Sequence, residues 1–347
     1  MIIDCHGHYT TAPKALQEYR DKQVASLKDA KLDPGKANLG ISDDQIRESI
    51  ENAQLKQQRE RGTDLTIFSP RAMGMSHHIG DARMSERWTD ACNELVHRVC
   101  GLFPKNFVGV AQLPQSPGVP VENCIPTLER CVKEWGFVGL NLNPDPSGGY
   151  WKEPPLTDKW SYPLYEKMQE LDVPAMVHTS ASCNACFHAT GAHYINGDTT
   201  AFMQFITDGE KLFKDFPGLR FIIPHGGGAV PYHWGRYRGL AQDQKKPLFK
   251  DLLLKHVFFD TCVYHQPGID LLLEVIPKEN ILFASEMIGA VRGIDPETGH
   301  HYDDTRRYID GARSLSTEDR RQLFTGNVLK VYPRLAKALA ARGLNPG

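Results

Sequence analysis

Residues 1–10 read MIIDCHGHYT, and this stretch sets the reading of the whole chain. Two imidazoles, His6 and His8, stand two positions apart behind the apolar pair Ile2 and Ile3. A strand turns alternate side chains to one face, rising about 3.3 Å per residue, so both rings leave a strand end together. That spacing suits one metal ion, and it equally suits two histidines satisfied by solvent or backbone. What the rest of the chain places at its other strand ends decides between them.

Outward from that start, short β-rich runs alternate with longer amphipathic stretches. The runs are IIDCHGH, TDLTIFS, NFVGVAQL, FVGLNLN, VPAMVH, LRFIIPH, HVFFDTC and NILFASE. The spacing predicts helices over 43–61, 85–102, 121–135, 161–171, 199–216, 231–244 and 268–276. Eight strands, each with a helical crossover, are what a closed parallel barrel requires, whereas an open doubly wound sheet usually manages with fewer. The expected fold is therefore α/β, a (β/α)₈ TIM barrel, as one domain over residues 1–347. No Pro/Gly/Ser linker divides it. The polar stretch from Thr10 to Gly40 reads as an insertion after the first strand, a lid or an oligomer contact, and the tail from Ser316 as added helices.

In such a barrel the working residues come from the C-terminal ends of different strands, because those ends share one mouth. The first strand ends in His6 and His8, the second in Ser69 and Arg71, the third in Gln112 and the fourth in Asn141 and Asn143. The remaining four end in His178, His225, Asp260 and Glu286. Three imidazoles and a carboxylate, with a position left for water, form the donor set of a catalytic Zn²⁺ site rather than a closed structural one. His6, His8 and His178 are the expected ligands, and Glu286 is either the fourth ligand or the base acting on water. Mn²⁺ and Fe²⁺ accept the same donors. Asp260 is expected to orient a histidine.

His225 opens HGGGAVPYHWGRYRG, where the glycines let backbone approach a ligand and a helix N-terminus follows near Pro231. A proton donor or oxyanion stabiliser is the role expected of His225, with the glycine amides holding a carboxylate. Arg71 and Arg236 are candidates for bidentate carboxylate binding. Asn184, His188, Tyr194 and Arg292 lie in loops that would line the same pocket.

The bulk numbers exclude several function classes. Forty basic against forty-two acidic residues give a formal charge of −2, and no Lys/Arg block is dense enough to follow a phosphate backbone, so nucleic acid is not an expected partner. No apolar run reaches the ~20 residues of a bilayer span, and no signal-like segment precedes the first strand, which makes the expected location the cytoplasm. Eight cysteines are too dilute for a disulfide framework in 347 residues. CNAC at 183–186 has no second pair at zinc-site spacing.

Taken together, IIDCHGHY, VPAMVH, IPHGGGAVPYHWGRYRG and ILFASE resemble the amidohydrolase superfamily, and the H-G-G-G turn resembles its branch around aminocarboxymuconate-semialdehyde decarboxylase. Within that branch DCHGHYTTAPKAL, NLNPDPSGG, CFHATGAHY and FASEMIGAVRGIDP are similar to the 4-oxalomesaconate hydratases over nearly the whole chain. Most amidohydrolases end the eighth strand with Asp; this chain has Glu286, as those hydratases do. The resemblance implies a hydro-lyase using metal-activated water. It would hydrate the conjugated C=C bond of 4-oxalomesaconate (2-keto-4-carboxy-3-hexenedioate) to 4-carboxy-4-hydroxy-2-oxoadipate, in protocatechuate and gallate degradation. The competing reading is a metal-dependent nonoxidative decarboxylase of a related unsaturated or aromatic acid. The expected partner is the small tricarboxylate, and a homodimer is expected because twofold assemblies are the commonest.

Overall fold

The computed structural model describes residues 1–187 and 193–345. Among them, parallel strands follow one another around a ring: β1 Ile3–Tyr9, β2 Leu65–Pro70, β3 in two pieces (Phe107–Gly109 and Ala111–Gln112), β4 Leu140–Leu142, β5 Ala175–Val177, β6 Phe221–Ile223, β7 Val257–Asp260 and β8 Ile281–Leu282. Val110 interrupts β3 without breaking the ring, since its N–H still donates to Phe68 O at 2.9 Å and Gly109 O accepts from Val138 N at 2.9 Å. Closure comes from the first and last strands. Cys5 N donates to Phe283 O and Glu286 N to His6 O, both at 2.9 Å. The barrel expected from the eight runs is present.

Apolar side chains divide between the two surfaces of this ring. Ile67, Val108, Val110, Met176, Ile222, Phe258, Leu282 and Ala284 fill the interior, while Phe68, Phe107, Leu140, Ala175, Val177, Phe221 and Phe259 face the surrounding helices. The tail winds into helices, including Thr317–Arg321, Asn327–Val331 and Pro333–Ala340. Val328, Val331, Tyr332, Leu335 and Leu339 join the interior cluster, so this tail closes the N-terminal end of the barrel. Polar chemistry is left to the opposite end.

Several expected helices differ in detail, among them 121–135, which is a 3₁₀ turn Val121–Cys124, an α segment Ile125–Glu129 and a π turn Arg130–Glu134, and 199–216, which begins at His193. The stretch 43–61 is two helices, Asp43–Glu51 and Gln54–Arg61, because Ala53 sits at φ −130°, ψ −96° between them. The helix expected from Pro231 begins at Trp234, after a 3₁₀ turn at His225–Gly227. The insertion after β1 forms the helix Lys14–Ser26, whose Tyr19 packs with Trp88 and Cys92 of the helix Ala82–Leu102. Arg20 lies over the Trp88 ring at 5.2 Å. The insertion is thus docked on the barrel flank, and its Ala12, Pro13 and Leu16 form one wall of a cleft opposite Arg71. No helix among the described residues is long and apolar enough to cross a membrane.

Because Leu335 is fully buried in the closing layer, Leu335→Ala is expected to destabilise the fold by about 2–5 kcal/mol, read as a lowered Tm. An unchanged Tm would show that the tail does not seal the barrel.

Candidate metal centre and active site

The interior polar layer begins at β1. Its register slips between Asp4 and Gly7, and His6 and His8 turn inward above the apolar layer, 2% and 3% exposed. Across the mouth His178 follows β5, and Glu286 follows β8. The Nε2 atoms of His6 and His8 are 3.0 Å apart, and those of His8 and His178 3.3 Å. Glu286 Oε1 lies 3.7 Å from His8 Nε2, and Glu286 Oε2 lies 3.8 Å from His225 Nε2. Donor atoms of His6, His178, His225 and Glu286 also lie within 4.8 Å of one another. Five side chains from four strands therefore meet at one point.

Each imidazole is held by its other nitrogen. His6 Nδ1 donates to Asp260 Oδ2 at 2.8 Å, and His178 Nδ1 to Thr179 O at 2.8 Å. His8 Nδ1 donates to Ser69 Oγ at 2.7 Å, since that hydroxyl gives its own proton to a backbone carbonyl. His225 Nδ1 donates to Asp198 Oδ2 at 2.9 Å. Burial pushes His8 and His178 well below the ordinary imidazole value, and neighbouring histidine charges push the same way. Rings whose Nδ1–H is committed turn Nε2 toward one another, an arrangement that a divalent cation standing among them would satisfy. Ligands 2.0–2.1 Å from a tetrahedral ion lie about 3.3 Å apart, close to the separations found. The donor set fits a divalent ion.

Burial alone would lower His225, but the Asp198 carboxylate against Nδ1, with Glu286 and Asp260 nearby, carries it up to about 9. Tyr264, kept protonated by burial and the Glu286 charge, places its hydroxyl 3.2 Å from Glu286 Oε2. Both His225 (φ 53°) and Glu286 (φ 51°) occupy left-handed backbone, a strain typical of functional positions. Gly289 is required beneath Glu286, since a Cβ there would stand 2.6 Å from Glu286 Cγ. Asp198 and Tyr264 are not evident from the sequence because each finds its histidine or carboxylate only through the tertiary fold, whereas Thr179 acts on the adjacent His178 through its backbone carbonyl, which no residue type announces. Asp260 acts on His6 as expected.

The outlying candidates divide. Tyr194 sets its ring 4.6 Å from that of His225, tilted by 51°, and joins Glu286 and Tyr264 in lining an open cleft. Arg71, exposed at the end of β2, lines a second cleft with Tyr9, Thr10 and Trp88. Arg292 is an exposed residue whose Nη2 donates to Thr10 O at 3.4 Å, beside that cleft. Asn184 ties two loops together: Nδ2 donates to Gly149 O, in the loop after β4, at 2.8 Å, and Oδ1 accepts from Cys186 N in its own loop at 3.0 Å. Arg236 is exposed on the helix Trp234–Asp243, and no hydrogen bond or ion pair ties it to the site among the described residues. His188 lies outside the described residues.

The glycine turn corrects an expectation. Gly226 N donates to Asp260 Oδ1 at 3.2 Å, Gly227 N to Pro224 O at 2.9 Å, Gly228 N to His225 O at 3.2 Å and Ala229 N to Thr199 Oγ1 at 3.0 Å. With every one of these amides used internally, the turn has none to offer a substrate carboxylate. Its task is to set the direction of His225.

This geometry can be compared with known proteins. The amidohydrolase family profile matches residues 3–334. The chain belongs to the amidohydrolase family. This amidohydrolase is 60% identical over 344 residues to the 2-keto-4-carboxy-3-hexenedioate hydratase of a Sphingobium strain, covering 99% of each chain. It superposes on a crystal structure of 4-oxalomesaconate hydratase from Rhodopseudomonas palustris with a TM-score of 0.92 and 61% identity, again over 99% of both chains. A dihydroxybenzoic acid decarboxylase from Polaromonas, solved with bound manganese, shares the fold at TM-score 0.67 and 21% identity, over 97% of this chain and 98% of that one.

Since Asp260 fixes the His6 ring, Asp260→Asn is expected to weaken divalent-metal binding about 10–100-fold in competition against a chromophoric chelator. Parental affinity in that variant would show that the His6–Asp260 contact does not serve the metal.

Proposed function

We propose that the chain is a metal-dependent hydratase that adds water across the conjugated C=C bond of 4-oxalomesaconate (2-keto-4-carboxy-3-hexenedioate), giving 4-carboxy-4-hydroxy-2-oxoadipate. The observation that carries this reading is Glu286 at the centre of converging histidines, in a chain matched end to end by hydratases. His6, His8, His178 and Glu286 are the proposed ligands. His8 is preferred to His225 because its Nε2 lies 3.0 to 3.7 Å from His6, His178 and Glu286, the edges of one coordination sphere, whereas His225 is drawn back onto Asp198. When bound, the cation acidifies water toward a pKa of about 7. Zn²⁺ is the proposed ion, with Mn²⁺ or Fe²⁺ able to use the same donors.

In the addition, hydroxide bonds to the alkene carbon β to the ketone, the π electrons move toward the ketone oxygen, and a proton is taken up at the α carbon. Glu286 faces the metal donors on one side and His225 on the other, so it is placed to receive the proton that water gives up. His225, held by Asp198, offsets the negative charge that develops. Tyr264 holds one carboxylate oxygen of Glu286 in place, and Tyr194 closes over the His225 ring. Arg71 and Arg292 supply positive charge at the rim for a substrate with three carboxylates. The working unit proposed is the single barrel of residues 1–347, acting in the cytoplasm as a homodimer in protocatechuate and gallate breakdown.

Metal-loaded protein given the oxo-tricarboxylate is expected to yield the hydrated product, and Glu286→Gln is expected to fold normally with turnover at least ~100-fold lower. Release of CO₂ without hydrated product would instead establish the decarboxylase reading. Full activity in Glu286→Gln would remove that residue from the mechanism.

A further inference from the structure

The polar layer of the barrel mouth is unevenly satisfied. On the β5–β1 side, His6, His8, His178, His225 and Glu286 each have a partner. On the β3–β4 side, Gln112 and Asn141 each keep one side-chain atom without a partner. Both are buried, at 1% and 2% exposure, yet Gln112 Oε1 and Asn141 Nδ2 make no hydrogen bond within the protein. A buried polar atom left unpaired is costly, so native proteins rarely keep one without a use.

Register places the two side by side. Gln112 and Asn141 are paired residues of adjacent parallel strands, and Asn141 is paired in turn with Met176, two residues before His178. Side chains two apart on a strand share a face. Val110 and Met176 belong to the interior cluster, and a Cβ on Gly139 would meet the Tyr332 ring of that cluster at 2.9 Å. Gln112, Asn141 and His178 therefore stand in one tier above the apolar layer, the tier that carries the metal donors.

The backbone around them is clamped. Asn93 exchanges two hydrogen bonds with the Gln112 backbone, at 2.8 and 2.9 Å, and Gln115 does the same for Asn143, both at 2.8 Å. The orientation of the Gln112 amide is set by His77. His77 Nδ1 faces Ser85 Oγ, a hydroxyl that donates to Gln115 O, so His77 Nε2 is the acceptor and Gln112 Nε2 approaches it at 3.5 Å. Gln112 Oε1 is thereby left as an unpaired acceptor, on the strand paired with the one that carries the Asn141 donor.

We infer that Gln112 and Asn141 form a preorganised, uncharged acceptor–donor pair that binds a proton-bearing oxygen of the substrate, a hydroxyl or enol, and rejects a carboxylate at that position. A carboxylate only accepts and would face Gln112 Oε1 across an unfavourable contact; an enol gives its proton to Gln112 and takes one from Asn141. The inference rests on the hydratase reading, under which the occupant follows by elimination. The substrate carries three carboxylates and one 2-oxo group, so the pair takes the 2-oxygen: Asn141 donates to it as the ketone, and Gln112 accepts its proton once addition has made it an enol, leaving the rim arginines to the carboxylates.

The test compares metal-loaded parent protein with Asn141→Leu, equal in heavy-atom count, and with Asn141→Asp, which exchanges the donor for an acceptor. Steady-state hydration of 4-oxalomesaconate, metal content and Tm are measured for each. The expected result is a fall in kcat/KM of about 10–100-fold in both variants, carried mainly by KM, with metal content unchanged. In Asn141→Leu the Tm should be equal to or above that of the parent, because an unpaired polar group has been removed. A residue with a purely structural role would lower Tm together with activity. Parental kcat/KM in a folded variant, a Tm loss that parallels the activity loss, or failure of both variants to fold would overturn the assignment. Inactivity of the parent itself would sink the hydratase reading and, with it, the occupant named here; an active parent with unaffected variants sinks this inference alone.

Discussion

The mouth of this barrel is organised by imidazole nitrogens turned toward one point, a donor set that fits a divalent cation. Three imidazoles, anchored through Nδ1 to Asp260, Ser69 and Thr179, turn their Nε2 atoms toward one another at separations of 3.0 and 3.3 Å. Held that way in a buried interior, they suit a divalent ion. Several features of the chain follow from that constraint: the partners behind each ring, the left-handed backbone at Glu286 and His225, and the glycine beneath Glu286. Each fixes a direction rather than adding stability.

The fold separates holding from working. The C-terminal helices and interior aliphatic residues fill the lower barrel, so the strands are rigid where the polar layer begins. Above them, catalytic direction is imposed by loops that cross between strands. The helix His193–Asp215 brings Asp198 to His225, and the segment after β7 brings Tyr264 to Glu286. A carboxylate one methylene longer than the usual aspartate can then reach both His8 and His225.

What the sequence made legible follows the same division. His6, His8, His178, Asp260 and Glu286 could be read because barrel strands end at a shared mouth, so their position along the chain already fixes their place in space. Asp198 and Tyr264 could not, since a helix turn and a loop bring them home and no local period announces it. Asn184 bonds through its side chain to Cys186 N of its own turn and to Gly149 O of a distant loop, contacts that no local pattern announces. The glycines after His225 read as an anion cradle, whereas their amides satisfy the turn itself. Gln112 and Asn141 were visible as strand ends, but their unspent hydrogen-bonding atoms become apparent only when every neighbour's partner has been assigned.

One ion is expected to gather His6, His8, His178 and Glu286, with His225 standing outside its sphere. Anomalous diffraction from crystals grown with Zn²⁺ measures this directly. A single strong peak about 2.0–2.2 Å from the three Nε2 atoms and a Glu286 oxygen is the expected result. No peak at the mouth, or an ion bound by His225 in place of His8, would contradict it.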